Sequence, residues 1–431
     1  MIMANSVDPR QNEAQTHDAE AGDVLPVAAA EAFFGGDDLG LAALSWVQTQ
    51  LTACGGAELR VTRTQVGWAR RRGFATLWSP RRATGHGAPW ALTIHLSQRL
   101  DSPRFKQVVE VRPDLWAHHL ELWDAASLND DVAAWLHRAC DDASHVTVLD
   151  PGPAAILVDE GRRGWAHLAV TSSGAFDRPA HRLANRLVGN NPGAATIEYL
   201  LGPLSLLFHT RTTIAVTGVD ADVTLTSPQG RRTTHTTHST IAAGRGSTVT
   251  IGTATSGLRG YLAVRGGWDV APVLGSRSRD TLAGLGPEPL RPGTGLPIGT
   301  ASGPFPATDH APRPAPPRHL VLHLLHAPRA NALLLPRSAL AHLEWAISHE
   351  SNRIGVRLRG PRLPVTAQAA SEPLVRGAVQ VPPDGQPVIM GPDHPTTGGY
   401  PVIGVVAEAD TDALAQARPG TTVRLRPMGS A

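Results

Sequence analysis

The stretch that decides the fold runs from residue 213 to residue 226 and reads TIAVTGVDADVTLT. It consists of two short runs of apolar and β-branched residues, and the Gly and Asp residues between them are typical of a turn that joins two strands. Similar runs lie on both sides of it: HVTVLD at 145–150, STVTIG at 247–252 and GYLAVRGG at 260–267. Strands of this length, separated by turn residues, predict a β-sandwich or a β-barrel.

The composition of the whole chain also indicates a mainly β protein. The 431 residues include 43 Gly and 36 Pro but only 5% aromatic residues, which favours many turns and short strands over long helices. Hydrophobic residues make up 42% and charged residues 18%, so the chain can bury a sizeable core, and disorder over most of its length is excluded. At about 150 residues per domain, the length predicts two or three domains.

Charge, lysine and cysteine content exclude several classes of function. The 39 basic and 37 acidic residues leave a net charge of +2, so we expect no nucleic-acid partner. The one lysine of the chain, Lys106, follows no Gly-rich turn, which excludes a conventional P-loop and makes a biotin-carrying lysine unexpected. Cys54 and Cys140 form no CxxC pair, which indicates a reducing compartment. Since no apolar run is long enough for a membrane span and no signal peptide is evident, we expect a cytoplasmic protein.

Changes in composition divide the chain into five segments. Residues 1–36 are acidic and poor in large apolar side chains, so we expect a disordered tail. Residues 37–146 combine alternating runs with a closing helix, which predicts a small α+β domain. Two β-rich units follow, at 147–302 and 318–431, and a Pro-rich linker at 303–317 separates them.

One helix interrupts the strands of the first β-rich unit. Asp177 is its N-cap candidate, Pro179 lies in its first turn, and Gly189 ends it. The Gly-containing turn at 172–176 leads into this helix, so its N–H groups are expected to face a phosphate or an oxyanion. The alternative is that Asp177 serves only as an N-cap.

We expect no metal site. His319, His323 and His326 would align as metal ligands on a helix, but the surrounding VLHLL is typical of a strand. On a strand the first two side chains share a face and the third points away.

Motifs along both β-rich units resemble those of one family. They include DEGRRGWAHL from residue 159, SSGAFD from 172, VLGSRS from 273, SNRIGVRL from 351 and TTGGYP from 396. Over about residues 147–427 the chain resembles the family of the 5-oxoprolinase C subunit, which is also called the KipA, allophanate hydrolase subunit 2 or biotin-dependent carboxyltransferase family. This resemblance implies that residues 147–427 form two cyclophilin-like β-barrels. Together with the smaller α+β domain that the sequence pattern predicts in front, we expect a mainly β fold. The first domain resembles an uncharacterised bacterial domain of unknown function.

The sequence departs from the family's motifs at two positions. The family's Ser-Asp-Arg is Ser351-Asn352-Arg353 here, and the Gln that precedes Thr-Thr-Gly-Gly-Tyr-Pro is Pro395. We expect the loss of the acid at residue 352 to weaken catalysis.

The resemblance implies a subunit of an ATP-dependent 5-oxoprolinase-type amide (lactam) hydrolase complex. Its partners would be a KipI-like B-type subunit and an ATP-handling A-type subunit, with ATP and magnesium bound mainly by a partner, so we expect no activity from the chain alone. One alternative is the transferase component of a biotin-dependent urea or amide carboxylase, with the biotin on another chain. A second alternative is a non-catalytic regulator that binds a KipI-like kinase inhibitor.

Opening a lactam at neutral pH requires carboxylates, anion-binding donors and a positioned water. On the matching motifs we predict two groups of site residues: Asp159, Arg162 and Asp384 as catalytic, and Ser173, Gly174, Asp177, Arg353 and Tyr400 as substrate-binding. Asp159 and Arg162 are alternatively a surface ion pair, and Asp384 in Pro-Pro-Asp-Gly is alternatively a turn residue. We expect the principal pocket where loops of the two barrels converge.

Overall fold

Short strands dominate the structure, a computed structural model that describes residues 26–53, 57–70, 72–112, 115–143, 145–301, 303–311, 319–327, 332–366 and 370–429. They form three successive units, so the predicted mainly β fold with a smaller α+β domain in front is confirmed. No helix within these stretches is both long and apolar enough to cross a membrane.

The first unit packs helices against one face of a six-stranded antiparallel sheet. Its elements are α1 (Pro26–Phe34), α2 (Asp38–Ala53), β1 (Glu58–Val61), β2 (Gln65–Ala69), β3 (Gly73–Trp78), α3 (Pro80–Thr84), β4 (Trp90–Leu96), β5 (Gln107–Arg112), β6 (Leu115–Leu122) and α4 (Asp130–Ala143). The strand order is β1-β2-β3-β4-β6-β5. Alternation along β4 directs Trp90, Leu92 and Ile94 into the core beneath the helices.

We expect a disordered tail up to residue 36, and this prediction is wrong for residues 26–34. Residues 26–34 form α1, and Ala30 and Phe34 of this helix are buried in the core of the first unit. The Phe34 ring packs on Trp90 with the ring centroids 4.7 Å apart. The apolar area that this contact removes from water offsets the entropy of ordering the segment. Residues 1–25 lie outside the described residues.

The second unit encloses its core between two antiparallel sheets. Its strands are β7 (Val146–Asp150), β8 (Ala155–Val158), β9 (Thr196–Leu200), β10 (Leu204–Phe208), β11 (Thr212–Thr217), β12 (Asp222–Thr226), β13 (Arg232–Thr236), β14 (Thr240–Ala243), β15 (Ser247–Ile251), β16 (Arg259–Val264) and β17 (Gly295–Leu296). One sheet has the order β13-β12-β15-β10-β7-β17, and the other has the order β14-β11-β16-β9-β8. Leu206 and Val249 of the first sheet meet Val216 and Leu262 of the second in the core.

Helix α5 (Arg178–Leu187) packs on the outer face of the second of these sheets. Ala180, Ala184 and Leu187 on one side of the helix pack in the same cluster as Tyr261 and Ala263 of β16. The helix begins after Asp177 and ends before Gly189, where the sequence predicts it. Its N-terminus therefore lies at a fixed place on the barrel.

The third unit is a closed barrel of seven strands. Its elements are β18 (His319–Leu325), β19 (Trp345–Ile347), β20 (Gly355–Arg359), β21 (Glu372–Pro373), β22 (Ala378–Gln380), β23 (Val388–Met390), β24 (Thr397–Gly398), β25 (Val402–Val406), α6 (Glu408–Leu414) and β26 (Thr422–Pro427). Around the barrel the order is β18-β25-β22-β23-β20-β19-β26. The barrel core includes Phe176 from the turn before α5, so the two barrels share a packed interface.

The described part of the expected linker lies along the first barrel. Thr240 N–H donates to the Asp309 carbonyl (2.8 Å), and Ala311 N–H donates to the His238 carbonyl (2.9 Å). Residues 312–318 lie outside the described residues. The domain boundaries stay predictions.

Candidate functional site

Acceptors of the protein occupy part of the turn at 172–177. Three of its N–H groups donate to acceptors of the protein: Ala175 to the Asp159 carbonyl (2.9 Å), Phe176 to Glu198 Oε2 (3.0 Å) and Asp177 to Tyr261 Oη (2.7 Å). Asp177 caps α5, because its Oδ1 accepts from Ala180 N–H (2.9 Å). Protein acceptors therefore occupy the three N–H groups nearest to α5, and the oxyanion site that we expect at this helix N-terminus stays a prediction.

Ser173 and Gly174 shape the turn. Both have positive φ angles, 51° and 92°. A Cβ on Gly174 would lie 3.0 Å from main-chain atoms of Glu160 and Gly161, so a side chain would clash there. The buried Ser173 hydroxyl donates to Asp393 Oδ1 (2.5 Å) of the second barrel. The substrate-binding roles of Ser173, Gly174 and Asp177 stay predictions.

Arg353 of the second barrel is the centre of an ion-pair network between the barrels. Its four hydrogen bonds go from Nε to Asp393 Oδ2 (2.8 Å), from Nη1 to Glu198 Oε1 (2.6 Å), and from Nη2 to the Gly174 carbonyl (2.7 Å) and Asp393 Oδ1 (3.0 Å). Glu198 and Gly174 belong to the first barrel, and Asp393 follows β23 of the second. The Arg353 side chain therefore joins Asp393 of the second barrel to Glu198 and to the 172–177 turn of the first barrel.

Both carboxylates of this network have several further donors. These are Tyr261 Oη (2.9 Å) and Phe176 N–H (3.0 Å) to Glu198, and the Ser173 hydroxyl (2.5 Å), Thr281 N–H (3.0 Å) and Thr281 hydroxyl (2.7 Å) to Asp393. A second cation, Arg259 at the start of β16, lies with Nε 3.7 Å from Glu198 Oε1. The four charged side chains together carry no net charge.

All four groups are ionised at neutral pH. Burial by itself would lower the pKa of the Arg353 guanidinium, but Asp393 and Glu198 outweigh burial and hold this pKa above its ordinary value. Burial would raise the pKa of Glu198 and of Asp393, yet Arg353 holds both below their ordinary values. Burial lowers the pKa of Arg259, but an arginine side chain stays protonated in proteins.

A cavity of about 500 Å³ lies beside this network, and residues of both barrels line it. Its apolar wall includes Ile156, Leu200, Leu201, Leu258, Ile347, Ile354, Val356 and Leu414. Its polar residues include Glu198, Arg259, Thr281, His349, Ser351, Asn352 and Arg353. An apolar wall with a few convergent polar groups, at an interface between domains, is typical of small-molecule sites.

The hydrogen-bonding capacity that is left at the charged end is donor capacity. Arg259 donates from Nη1 to the Ala415 carbonyl (2.6 Å), and its Nη2 has no hydrogen bond within the described residues. Arg353 uses four of the five N–H groups of a guanidinium, which leaves one at Nη1. Glu198 and Asp393 already accept from three and five donors. The free N–H groups therefore fit an acceptor of a ligand, such as a carbonyl or carboxylate oxygen.

Asp159 and Arg162 are buried behind the turn and do not line the cavity. The Asp159 carboxylate accepts from the Ser276 and Ser278 hydroxyls (both 2.6 Å), Arg277 N–H (2.6 Å) and Gly161 N–H (2.8 Å). Arg162, which is 2% exposed, donates to the carbonyls of Ser278 and Val273. The alternative of a surface ion pair is therefore wrong. Their catalytic roles stay predictions, while these contacts hold the loop at 273–278 in place.

Asp384 and Tyr400 do not join Arg353, contrary to the expected convergence. Asp384 lies in the turn between β22 and β23, where its Oδ1 accepts from Gln386 N–H (3.0 Å). Tyr400 lines a separate pocket of about 350 Å³ with Pro383. A hairpin separates these residues from Asp393, because the turn is at one end of β23 and Asp393 is beyond the other. The sequence motifs therefore identify the second barrel as the location of Asp384 and Tyr400, but they do not show at which end of that barrel each residue lies.

Three network residues carried no predicted role: Glu198, Arg259 and Asp393. Glu198 lies in the run TIEYL, and Arg259 begins the run RGYLAV, which is buried throughout. A charged residue within a buried apolar strand requires a partner of opposite charge. This signal in the sequence could have identified Glu198 and Arg259 as a pair.

The barrels match a known family of domains in sequence. The profile of the carboxyltransferase domain, subdomains A and B, matches residues 168–427, and that of a domain of unknown function, DUF5655, matches residues 42–143. The C subunit of the Escherichia coli 5-oxoprolinase is 35% identical over 286 residues, which are 62% of this chain and 86% of the relative. The urea amidolyase of Saccharomyces cerevisiae is 30% identical over 313 residues, 66% of this chain but only 16% of the yeast protein.

A solved structure has the same arrangement of the barrels. The crystal structure of TTHA0988 superimposes with a TM-score of 0.59 at 34% identity. The match covers 65% of this chain and 56% of TTHA0988, so this chain spans little more than half of that protein.

Proposed function

Because the chain belongs to the family of carboxyltransferase domains with subdomains A and B, we propose that it is a subunit of an ATP-dependent 5-oxoprolinase-type complex that hydrolyses an amide (lactam) bond. The chain is homologous to the C subunit of 5-oxoprolinase over most of that relative's length. A protein that is named as a subunit works together with others. In this proposal a KipI-like B-type subunit and an A-type subunit accompany the chain, and ATP with magnesium binds mainly to a partner.

The donor end of the cavity carries the proposal. An amide carbonyl oxygen is an acceptor, and it gains negative charge when water adds to the carbonyl carbon. The free N–H groups of Arg259 and Arg353 would stabilise that charge in a cavity with apolar walls, where electrostatic interactions are stronger than in water. Glu198 and Asp393 hold the Arg353 guanidinium in a fixed orientation, so this donor needs no reorganisation during the reaction.

The leaving nitrogen needs a proton when the C–N bond breaks. Glu198 lines the cavity, but its oxygens accept from three donors. His349 also lines the cavity, is exposed and has no hydrogen bond within the described residues. We therefore assign the proton transfer to His349.

The experiment is turnover of the reconstituted complex with 5-oxoproline, ATP and magnesium, with glutamate release as the measured quantity. Arg259→Lys keeps the charge but removes the planar donors, and His349→Gln removes the imidazole ring. We expect each to lower kcat about 100-fold, the size of effect typical for removing one transition-state donor or one general acid. The matched controls are Arg357→Lys and His319→Gln, because both residues are exposed outside the cavity.

Two outcomes would contradict the proposal. Unchanged turnover in Arg259→Lys would exclude the donor end from the chemistry. Robust ATP-dependent glutamate release by this chain alone would overturn the division of work between subunits.

The second candidate is the transferase component of a biotin-dependent urea or amide carboxylase. The 30% identity to a urea amidolyase favours it, although this chain spans only 16% of that enzyme. The same donors fit a urea carbonyl or the ureido carbonyl of biotin, which would be attached to another chain and would supply a carboxyl group. Carboxylation of urea with a biotin carboxylase, bicarbonate and ATP, without glutamate release from 5-oxoproline, would favour this candidate.

A further inference from the structure

Strand β11 ends two residues short of Arg259 on the neighbouring strand β16. The two strands pair as far as Thr217, which lies opposite Tyr261. Arg265 N–H donates to the Thr213 carbonyl of β11 (2.8 Å), and every second residue back from it presents its N–H and C=O groups to the same side. The main-chain groups of the buried Arg259 therefore point to where β11 would continue, and buried groups of this kind require another partner.

The side-chain amide of Gln416 takes the place of β11 at this point. Its Oε1 accepts from the N–H groups of Leu258 (2.9 Å) and Arg259 (3.1 Å). Its Nε2 donates to the Arg259 carbonyl (2.9 Å) and to Asp177 Oδ2 (2.8 Å). Gln416 is 2% exposed, and its amide makes all four of its hydrogen bonds with protein groups. Donors surround the oxygen and acceptors surround the nitrogen, so the partners fix the orientation of the amide.

Gln416 holds Arg259 from the other barrel. It lies in the segment between α6 and β26, and the carbonyl of the preceding residue, Ala415, accepts from Arg259 Nη1 (2.6 Å). Residues 415 and 416 therefore hold both the guanidinium and the main chain of this arginine. Arg259 lines the inter-barrel cavity, whereas Gln416 is not part of that lining. Any effect of the Gln416 amide on a ligand in the cavity therefore passes through the residues that it holds.

We propose that Gln416 is a positioning residue, which holds Arg259 so that the free N–H groups of its guanidinium meet the carbonyl oxygen of the substrate. This inference rests on the proposed function. Donors stabilise a developing charge best when they are in place before the reaction, and a misplacement of about 1 Å can lower a rate about 100-fold. The role requires an amide, because only an amide accepts at one end and donates at the other.

The first test is Gln416→Glu in the reconstituted complex, with glutamate release from 5-oxoproline as the measured quantity. The variant keeps the size of the side chain and one accepting oxygen. Its second oxygen lies against two acceptors, Asp177 Oδ2 and the Arg259 carbonyl, so the contact becomes repulsive. We expect kcat at pH 8.5 to fall about tenfold while KM stays within about threefold, because the donor acts mainly in the transition state.

A positioning role also predicts that the variant recovers at lower pH. Burial and the Asp177 carboxylate raise the pKa of the introduced carboxyl group, and once protonated this group donates again. The ratio of variant to wild-type kcat should therefore rise at least about fivefold from pH 8.5 to pH 6. Gln380→Glu is the matched control, because Gln380 is also buried and donates to the Tyr400 carbonyl (3.3 Å) rather than to Arg259. The kcat ratio of this control should not change with pH.

A double variant separates positioning from a general loss of stability. If Gln416 acts through Arg259, then Arg259→Lys with Gln416→Glu should turn over within about threefold of Arg259→Lys alone. Losses that multiply would overturn the proposal, and so would a kcat ratio of Gln416→Glu that stays constant with pH. Gln416→Met keeps the volume and removes all four hydrogen bonds, and it replaces Gln416→Glu in the double variant if that protein does not fold.

Crystal structures of wild type and Gln416→Glu at pH 8.5 test the positioning without turnover. We expect the Arg259 guanidinium of the variant to lie about 1 Å or more from its wild-type place beside the Ala415 carbonyl. An unmoved guanidinium in an active complex would overturn the role of Gln416 alone. A wild-type complex that releases no glutamate would overturn the proposed function, and the part of Gln416 in that reaction with it.

Discussion

Replacing Arg353 by methionine removes the one side chain that joins the turn at 172–177 to both carboxylates. Methionine fills a similar volume but has no donor, so four hydrogen bonds are lost and Glu198 and Asp393 remain buried. Removing one partner of a buried ion pair destabilises a protein by about 3–5 kcal/mol. Both carboxylates keep other donors, so we expect a loss near the lower end, about 3 kcal/mol at pH 7.

The pH dependence of this loss has a predictable sign. In the wild type Arg353 holds the pKa of Glu198 and of Asp393 below the ordinary 4.5 and 3.8, so both contribute a constant amount of stability between pH 7 and 5. In Arg353→Met burial dominates and raises both pKa values above the ordinary ones. The folded variant then binds more protons than the unfolded chain, so its stability increases as the pH falls from 7 toward 5. The difference in the free energy of unfolding between wild type and Arg353→Met should therefore become smaller as the pH falls from 7 toward 5.

Guanidinium unfolding curves at pH 7 and pH 5 measure the loss in the free energy of unfolding and its dependence on pH. Arg357→Met is the control, because Arg357 is exposed on β20 and its loss should change the free energy of unfolding by less than about 0.5 kcal/mol. A loss below about 1 kcal/mol in Arg353→Met at pH 7 would refute the reasoning. A difference in the free energy of unfolding between the variant and wild type that becomes larger toward pH 5 would also refute it. Such a result would mean that Arg353 does not hold the pKa values of the two carboxylates down.

Three further predictions concern single residues of the barrels. Asp159→Asn should lower the free energy of unfolding by about 2 kcal/mol, because an amide NH₂ group cannot accept from the donors around this carboxylate, and retained turnover in the folded complex would exclude a catalytic role. Asp384→Asn keeps the oxygen that accepts from Gln386 N–H in its turn, so the free energy of unfolding should be unchanged. Turnover of the complex that contains this variant then decides whether the Asp384 carboxylate is catalytic. Burial lowers the pKa of His181 from 6.5 to about 4. Between these pH values the unfolded chain binds a proton that the folded state does not bind, so the free energy of unfolding falls as the pH is lowered from 6.5 to 4. At about 1.4 kcal/mol per pH unit this is about 3 kcal/mol, and unfolding curves of His181→Asn should lack that slope.

Local sequence signals predicted the elements that depend on neighbours in the chain. The run at 213–226 forms β11 and β12, and α5 begins after Asp177 as its Asp, Pro and Gly residues indicate. These signals suffice because turn chemistry and helix capping involve residues within four positions of each other. The same reasoning failed at α1, where the decisive contact is that of Phe34 with Trp90, more than fifty residues away.

The candidate site depends on contacts that no local pattern contains. Arg353 and Glu198 are 155 residues apart, and Arg353 and Asp393 are 40 residues apart in one barrel. A strand pattern predicts which residues share a face, but it does not predict which end of one barrel meets the other. For this reason the motifs indicated Arg353 and the turn at 172–177, while Asp384, which we expect in the same pocket, lies at the other end of its hairpin.

Asn352 shows how a departure from a family motif can be compatible with the site. Its Oδ1 accepts from the N–H groups of Ile354 (2.9 Å) and Gly355 (3.1 Å), so the side chain forms the turn that presents Arg353. An amide oxygen accepts these two bonds as a carboxylate oxygen would, and the turn does not require an acid. Asn352 also lines the cavity, where its NH₂ group is a donor and an aspartate would add negative charge. In a site whose free groups are donors, asparagine favours the same acceptor ligand that Arg259 and Arg353 do.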